Sequence, residues 1–93
     1  MNSLDQIQAA VREGRYEMTF HATEEVAEDD LHLLDVESAL LTGSLVSTQA
    51  DPQCGPKYVV EGLAGDLATR AGVVARFQPG GTLVIITVYE IHS

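Results

Sequence analysis

Three kinds of side chain in this sequence could do chemistry. One is a histidine, His21, at a strand-to-helix junction. Another is a pair of hydroxyls, Thr87 and Tyr89, two apart in a late strand-like run. The third is a group of carboxylates just after the histidine: Glu24, Glu25, Glu28 and Asp29. Metal-free RNA cleavage needs a base for the 2′-hydroxyl proton, an acid for the leaving oxygen and cations for the charge that builds around phosphorus. His21 could be the base or the acid. Thr87 and Tyr89 fall on one face of a strand and could contact phosphate. Arg76, with Arg70 at even spacing from it, could supply positive charge. A second histidine would have to come from His32 or His92 folding back. The plainer reading is that His21 starts a helix and hydrogen bonds to nearby backbone.

Metal chemistry is a further option. His21, Glu24, Glu25 and Glu28 fall at i, i+3, i+4 and i+7, on one side of a helix. A histidine and carboxylates one turn apart can share Zn²⁺ or Mn²⁺, with His21, Glu25 and His32 as the candidate ligands. No anchor from a distant element is identifiable, so the sequence implies no resident metal or other cofactor, and a solvated helix face is the alternative. That face is costly. Glu24/Glu28 and Glu25/Asp29 are like-charge pairs, each destabilising by roughly 0.2–0.5 kcal/mol. Glu28, Asp29 and Asp30 also crowd a helix C-terminus, where the dipole prefers cations. A total of about 1–2 kcal/mol matters in a marginally stable domain. The cost points to Glu24, Glu25, Glu28 and Asp29 as a docking face for a basic protein or peptide. On that reasoning Glu25→Arg with Asp29→Arg should stabilise the free protein by roughly 0.5–1.5 kcal/mol at low salt.

The overall charge agrees with a basic partner, although solubility alone would also explain it. Fourteen Asp and Glu against five Lys and Arg leave a net charge of −9. Nucleic acid is repelled on average, so RNA affinity is expected to be no better than about 10⁻⁴ M at physiological salt. The longest apolar stretch, Leu83–Tyr89, is far short of a membrane span. Met1-Asn2-Ser3-Leu4-Asp5 has neither a basic start nor an apolar core, so no signal peptide is expected and a cytoplasmic location is. The single Cys54 gives no disulfide framework. With only Lys57 nearby in sequence to lower its pKa, it reads as a passive loop thiol.

The elements that must position these groups fit one domain over residues 1–93. Ser3 with Gln6 reads as a capping box. Leu4, Ile7, Ala10 and Val11 then follow at helical spacing, and Gly14 stands in the left-handed position that ends a helix. Tyr16, Met18 and Phe20 alternate as one face of a strand. A helix over His21–Asp29 turns Ala22 and Val26 inward, and Leu31 plugs the core. A third helix, with His32 at its N-cap, carries Leu33, Val36 and Leu40 with Leu34 and Leu41, and stops at Gly43. Leu45–Thr48, Lys57–Glu61, Val73–Phe77 and Thr82–Glu90 are strand-like, with turns at Gly55-Pro56, Ala64-Gly65-Asp66 and Pro79-Gly80-Gly81. Helices first and strands last predict an α+β domain, with N-terminal helices packed on one face of a C-terminal antiparallel sheet. Leu83-Val84-Ile85-Ile86 is apolar at both parities. It is therefore expected in the sheet interior, and a homodimer contact could cover its second side.

Several short motifs carry a resemblance: Gly14-Arg15-Tyr16, Phe20-His21-Ala22, Glu24, Ala27-Glu28, Leu31, Asp35-Val36, Ala39-Leu40, Gly43, Gly55-Pro56 with Tyr58, Gly62, and Leu83 through Tyr89. Together they make the chain resemble the family catalogued as domain of unknown function 4258. That family looks related to the RelE-like and barnase-like nuclease fold of many bacterial toxins. The resemblance implies this fold and an RNA-cleaving ancestry; taken with the residue chemistry above, the alternative function is a ribonuclease toxin of a toxin–antitoxin system that uses His21, Arg76, Thr87 and Tyr89. The family pattern has Arg at the fourth and eighth residues after the His. Here those positions are Glu25 and Asp29, which reverses two charges. The sequence therefore reads first as an interaction module of toxin-like fold, second as a ribonuclease and third as a metal-binding domain.

Overall fold

The computed structural model describes residues 2–92. In chain order it contains α1 (Ser3–Arg12), β1 (Tyr16–Met18), α2 (Phe20–Glu28), α3 (Leu33–Thr42), β2 (Ser44–Gln49), β3 (Lys57–Leu63), β4 (Arg70–Phe77) and β5 (Leu83–Ile91). The strands form one sheet in the order β1-β5-β4-β3-β2. From β2 to β5 it is the expected antiparallel meander. β1 departs from it: Tyr16–Met18 run parallel to Leu83–Ile85, so the sheet is mixed. Parallel neighbours need a long crossover, and everything from α2 to β4 lies between these two. As expected, β5 is interior, between β1 and β4.

One core joins the layers. α1 contributes Ile7, Ala10 and Val11; α2 contributes Ala22 and Val26; Leu31 follows; and α3 contributes Val36, Ala39 and Leu40. The β4 core residues are Ala71, Val73 and Ala75, all of one parity, so the helices lie over a single face of the sheet. In β5 the pairing steps from Val74–Thr87 to Ala75–Ile85, leaving Ile86 as an extra residue. This bulge turns Leu83, Ile85 and Val88 all to the core. On the other face, Val84 is only 8% exposed. It pairs with Arg76, whose aliphatic stem can lie over it. Both parities of the Leu83–Ile86 run are thus accommodated within one chain, and the run does not by itself require a second copy.

Helix ends explain most differences from the expected boundaries. The N-cap of α1 is Asn2, not Ser3; its side-chain oxygen accepts from the Asp5 N–H at 2.8 Å. The N-cap of α2 is Thr19, whose hydroxyl accepts from the Ala22 N–H at 3.1 Å. Phe20 therefore opens the helix and is 80% exposed instead of continuing the Tyr16–Met18 face. Two helices end in the same left-handed motif. After α1, Gly14 has φ +73° and the Arg15 N–H reaches the Ala10 carbonyl. After α2, Asp30 has φ 59°, the Leu31 N–H reaches the Val26 carbonyl, and Leu31 drops into the core. In α3 the buried stripe is Val36, Ala39 and Leu40. Leu33 and Leu34 lie outside it, 48% and 72% exposed.

Candidate functional site

β1 ends at Met18, so the outer side of β5 beyond Ile85 has no strand neighbour. α2 lies along it. The Thr19 hydroxyl donates to the Ile86 carbonyl at 3.2 Å. Glu25 Oε1 accepts from the Val88 N–H at 3.0 Å, and Asp29 Oδ2 accepts from the Glu90 N–H at 3.2 Å. Side chains of α2 thus replace a sixth strand at three points. Two of the four carboxylates that sequence reading assigns to a docking face, Glu25 and Asp29, are thus turned inward onto backbone. Glu24 and Glu28, on the same helix, are exposed. The alternation of Ile86, Val88 and Glu90 explains the spacing: every second residue of a strand turns its backbone groups to the same side, and residues four apart on a helix share a face.

His21 sits in the first turn of α2, with its side chain 69% exposed and Nε2 3.3 Å from Glu25 Oε1. Glu25 therefore links the histidine to the β5 backbone. His32 is the N-cap of α3, where its backbone N–H donates to Asp35 Oδ2 at 2.8 Å. Among the described residues no group of three or more His, Cys, Asp or Glu side chains is placed to hold a metal ion. His32 thus does not complete a site with His21 and Glu25. His92 is also exposed, with Nε2 3.7 Å from Glu90 Oε2.

Thr87, Tyr89 and Arg76 share the sheet face away from the helices. Thr87 pairs with Val74, Tyr89 with Gly72 and Arg76 with Val84. A Cβ at Gly72 would lie inside the Tyr89 ring, so the glycine is what lets that ring lie across β4. Burial, with the Glu61 charge second, raises the Tyr89 pKa. Arg76 and Gly72 are four residues apart on β4, roughly 13 Å at strand rise. Arg76 and Tyr89 therefore stand at opposite ends of the strip, with Thr87 between them. The cation beside Tyr89 is Arg70 instead, paired with Glu61 at 3.3 Å.

Sequence reading missed the neighbour of Arg76. The Tyr58–Ala75 pairing brings Lys57 alongside it, and among the described residues neither cation has a salt bridge. Their positive field helps to lower the Asp51 pKa, after the larger effect of the Gln53 and Cys54 N–H groups on its carboxylate. Like charges opposed across strands are unfavourable. Register was the signal that could have found this pair, and register is not readable from local sequence. The exposed Cys54 lies in the same loop as Asp51. A cleft of about 580 Å³ lies elsewhere. Gln6, Ala9, Glu13, Arg15, Tyr58 and Phe77 line it, and Arg15 is already committed to Glu13 and the Gly81 carbonyl.

β1 is anchored to α3 by the Tyr16 hydroxyl, which donates to Glu37. Burial first, and then this carboxylate, push the Tyr16 pKa up to about 12. No described helix is long and apolar enough to cross a membrane. The family model described as "Domain of unknown function (DUF4258)" matches residues 18–90. No curated protein and no solved structure matches the chain.

Proposed function

Because the chain belongs to the DUF4258 family, whose description names no activity, we propose a function from the chain's own surfaces: an intracellular interaction module that docks a basic protein or peptide on the outer side of α2. One observation carries this reading. α2 divides its carboxylates, with Glu25 and Asp29 holding the helix to β5 and Glu24 and Glu28 left outside. No cation of the described residues forms an ion pair with that outer pair. The excess of nine negative charges would steer a basic partner toward it. The inner pair makes the platform rigid, so docking needs little ordering of the helix. A cytoplasmic setting, and a basic partner encoded nearby, belong to this proposal.

The second reading is a ribonuclease related to the RelE-like and barnase-like toxins. The adjacent cations Lys57 and Arg76, on the same sheet face as Thr87, favour it. The two readings use different surfaces, so one experiment separates them. Amide spectra would be recorded while an Arg- and Lys-rich peptide, and separately a single-stranded RNA, are titrated at physiological salt. The interaction module requires the peptide to move resonances around Glu24 and Glu28, and RNA to bind no better than about 10⁻⁴ M. Tight RNA binding centred on Lys57, Arg76 and Thr87, with cleavage lost in His21→Ala, would establish the ribonuclease instead. A peptide that leaves α2 unmoved would remove the first reading.

A further inference from the structure

We propose that β2 is a self-pairing edge: two copies of this chain join antiparallel along Ser44–Gln49, making one continuous sheet from two. β2 is the last strand in the order, and its outward N–H and C=O groups have no strand partner. No side-chain or loop hydrogen bond of the described residues reaches them. An unpaired strand edge is a template for another strand, and folded proteins usually blunt it with lysine, proline, inward-pointing charge or a bulge. Ser44-Leu45-Val46-Ser47-Thr48-Gln49 has no lysine, proline or charge; of these devices it carries the bulge at Val46. It lies within Ser38–Ala50, a stretch without a single charged residue in a protein of net charge −9.

That neutrality favours a second copy as the occupant. Self-pairing sets a strand against its own sequence, so any charge near the centre would face its like. The register also fits. With a two-fold axis between Val46 and Ser47, Ser44 meets Gln49, Leu45 meets Thr48 and Val46 meets Ser47. Within the chain, Leu45 and Thr48 pair with Val60 and Tyr58, which pack with the core, whereas Ser44 and Gln49 pair with Glu61 and Lys57 on the opposite parity. The bulge at Val46 is what gives Leu45 and Thr48 the same side. Each self-pair away from the axis therefore joins residues of the same face, as antiparallel pairing requires. Val46, at the axis, is 51% exposed.

Six residues of pairing bury less than the roughly 1,200 Å² of a standard interface, so the dimer depends on concentration. Two copies of charge −9 also repel, and salt relieves this by screening. This inference is independent of the α2 reading, and either can fail without the other.

The test is sedimentation of the full chain from about 10 μM to about 1 mM, where weak interfaces populate, at low and moderate salt. Amide exchange would be followed over the same range. Wild type and Val46→Thr should pass from monomer to dimer, at lower concentration in higher salt, while Val46→Lys stays monomeric with an unchanged circular dichroism spectrum. Amide protection should rise with concentration along Ser44–Gln49. A wild type that remains monomeric throughout would overturn the proposal. So would Val46→Lys dimerising like wild type, or protection rising on the Val74–Val84 face and not in β2. If Val46→Lys does not fold, the wild-type amide pattern still decides.

Discussion

Beyond Met18 the outer side of β5 is hydrogen-bonded by Glu25 of α2 and by its caps Thr19 and Asp29, whereas the outer backbone groups of β2 have no hydrogen bond among the described residues. Both are edges of one sheet, and both leave alternate backbone groups to be satisfied. At β5 the solution is internal: charge-assisted hydrogen bonds from a helix that also buries Ala22 and Val26. At β2 the groups face solvent, along a strand whose burial is partial only at Leu45. The difference shows that the same acidic residues can be surplus charge by composition and structural partners by position. It also predicts where the molecule is stiff and where it is available.

The largest effect should come from breaking the closed edge. Glu25→Arg with Asp29→Arg leaves the Val88 and Glu90 N–H groups without acceptors and sets two cations beside them. Hydrogen bonds to charged groups contribute about 1.5–3 kcal/mol, so the double variant should lose roughly 2–4 kcal/mol. This reverses the gain expected from helix repulsion alone, which is worth only tenths of a kcal/mol per pair. Urea unfolding would read it. On the open edge, Thr48→Ala should shift stability by no more than about 0.5 kcal/mol. A double Arg variant as stable as wild type would show that the β5 edge does not need its carboxylates.

Next comes the seam that sets α3 beside the strands of the open edge. A Cβ at Gly62 would overlap the Ala39 carbonyl oxygen and stand 2.8 Å from the Gly43 Cα. Both are backbone atoms that cannot rotate away. Gly62→Ala must therefore separate α3 from β3, at about 1–3 kcal/mol or more. Gly14→Ala offers the contrast: its Cβ meets nothing within 4 Å, but its φ of +73° brings a conformational cost of about 1 kcal/mol. A smaller loss for Gly62→Ala than for Gly14→Ala would mean that the seam can open cheaply.

What was legible in the sequence follows the range of the physics involved. The four later strands stand where alternation and turn residues put them, because a pleat and a turn are set within a few residues. Ala22, Val26, Leu31, Val36 and Leu40 are buried as their spacing indicates. Gly14 adopts the left-handed conformation for the same local reason. What escaped depends on partners far along the chain. The parallel β1–β5 pairing joins residues 67 apart (Tyr16 and Leu83). The capping of β5 makes Glu25 and Asp29 structural, although their local context is that of a solvated helix. Lys57 and Arg76 become neighbours only through register. Phe20 is an intermediate case: Thr19 is a good N-cap residue, and weighing it would have begun α2 one residue earlier.

Tyr16 ties the short strand that covers the start of β5 to α3, and it supplies the pH test. Its hydroxyl loses its proton near pH 10 when unfolded and at about 12 when folded. Below pH 10 both states keep the proton and the stabilisation is fully present. Between 10 and 12 the unfolded state releases it first, so stability falls as pH rises through that window. Tyr16→Phe should cost about 1 kcal/mol at neutral pH and flatten the alkaline decline. A part should remain, because the Tyr89 pKa is raised too. An unchanged alkaline slope in the variant would place the titration elsewhere.

The smallest effect should come from His21, the residue that drew the most chemical interest. Its side chain is 69% exposed, and it pairs with Glu25, one helical turn away at 3.3 Å. Pairs of that kind contribute about 0.3–0.5 kcal/mol. Glu25 also keeps its bond to the Val88 N–H without the imidazole. His21→Ala should therefore leave the closed edge intact, with amide exchange at Val88 and Glu90 unchanged and a stability loss below about 0.5 kcal/mol. That makes it a clean probe, since any larger consequence cannot be charged to folding. If His21→Ala slows RNA cleavage while Val88 stays protected, the imidazole acts on substrate. If Val88 exchange accelerates as much as it does when Glu25→Ala is measured alongside, His21 instead positions the carboxylate, and the closed edge begins one residue group earlier than the backbone bonds indicate.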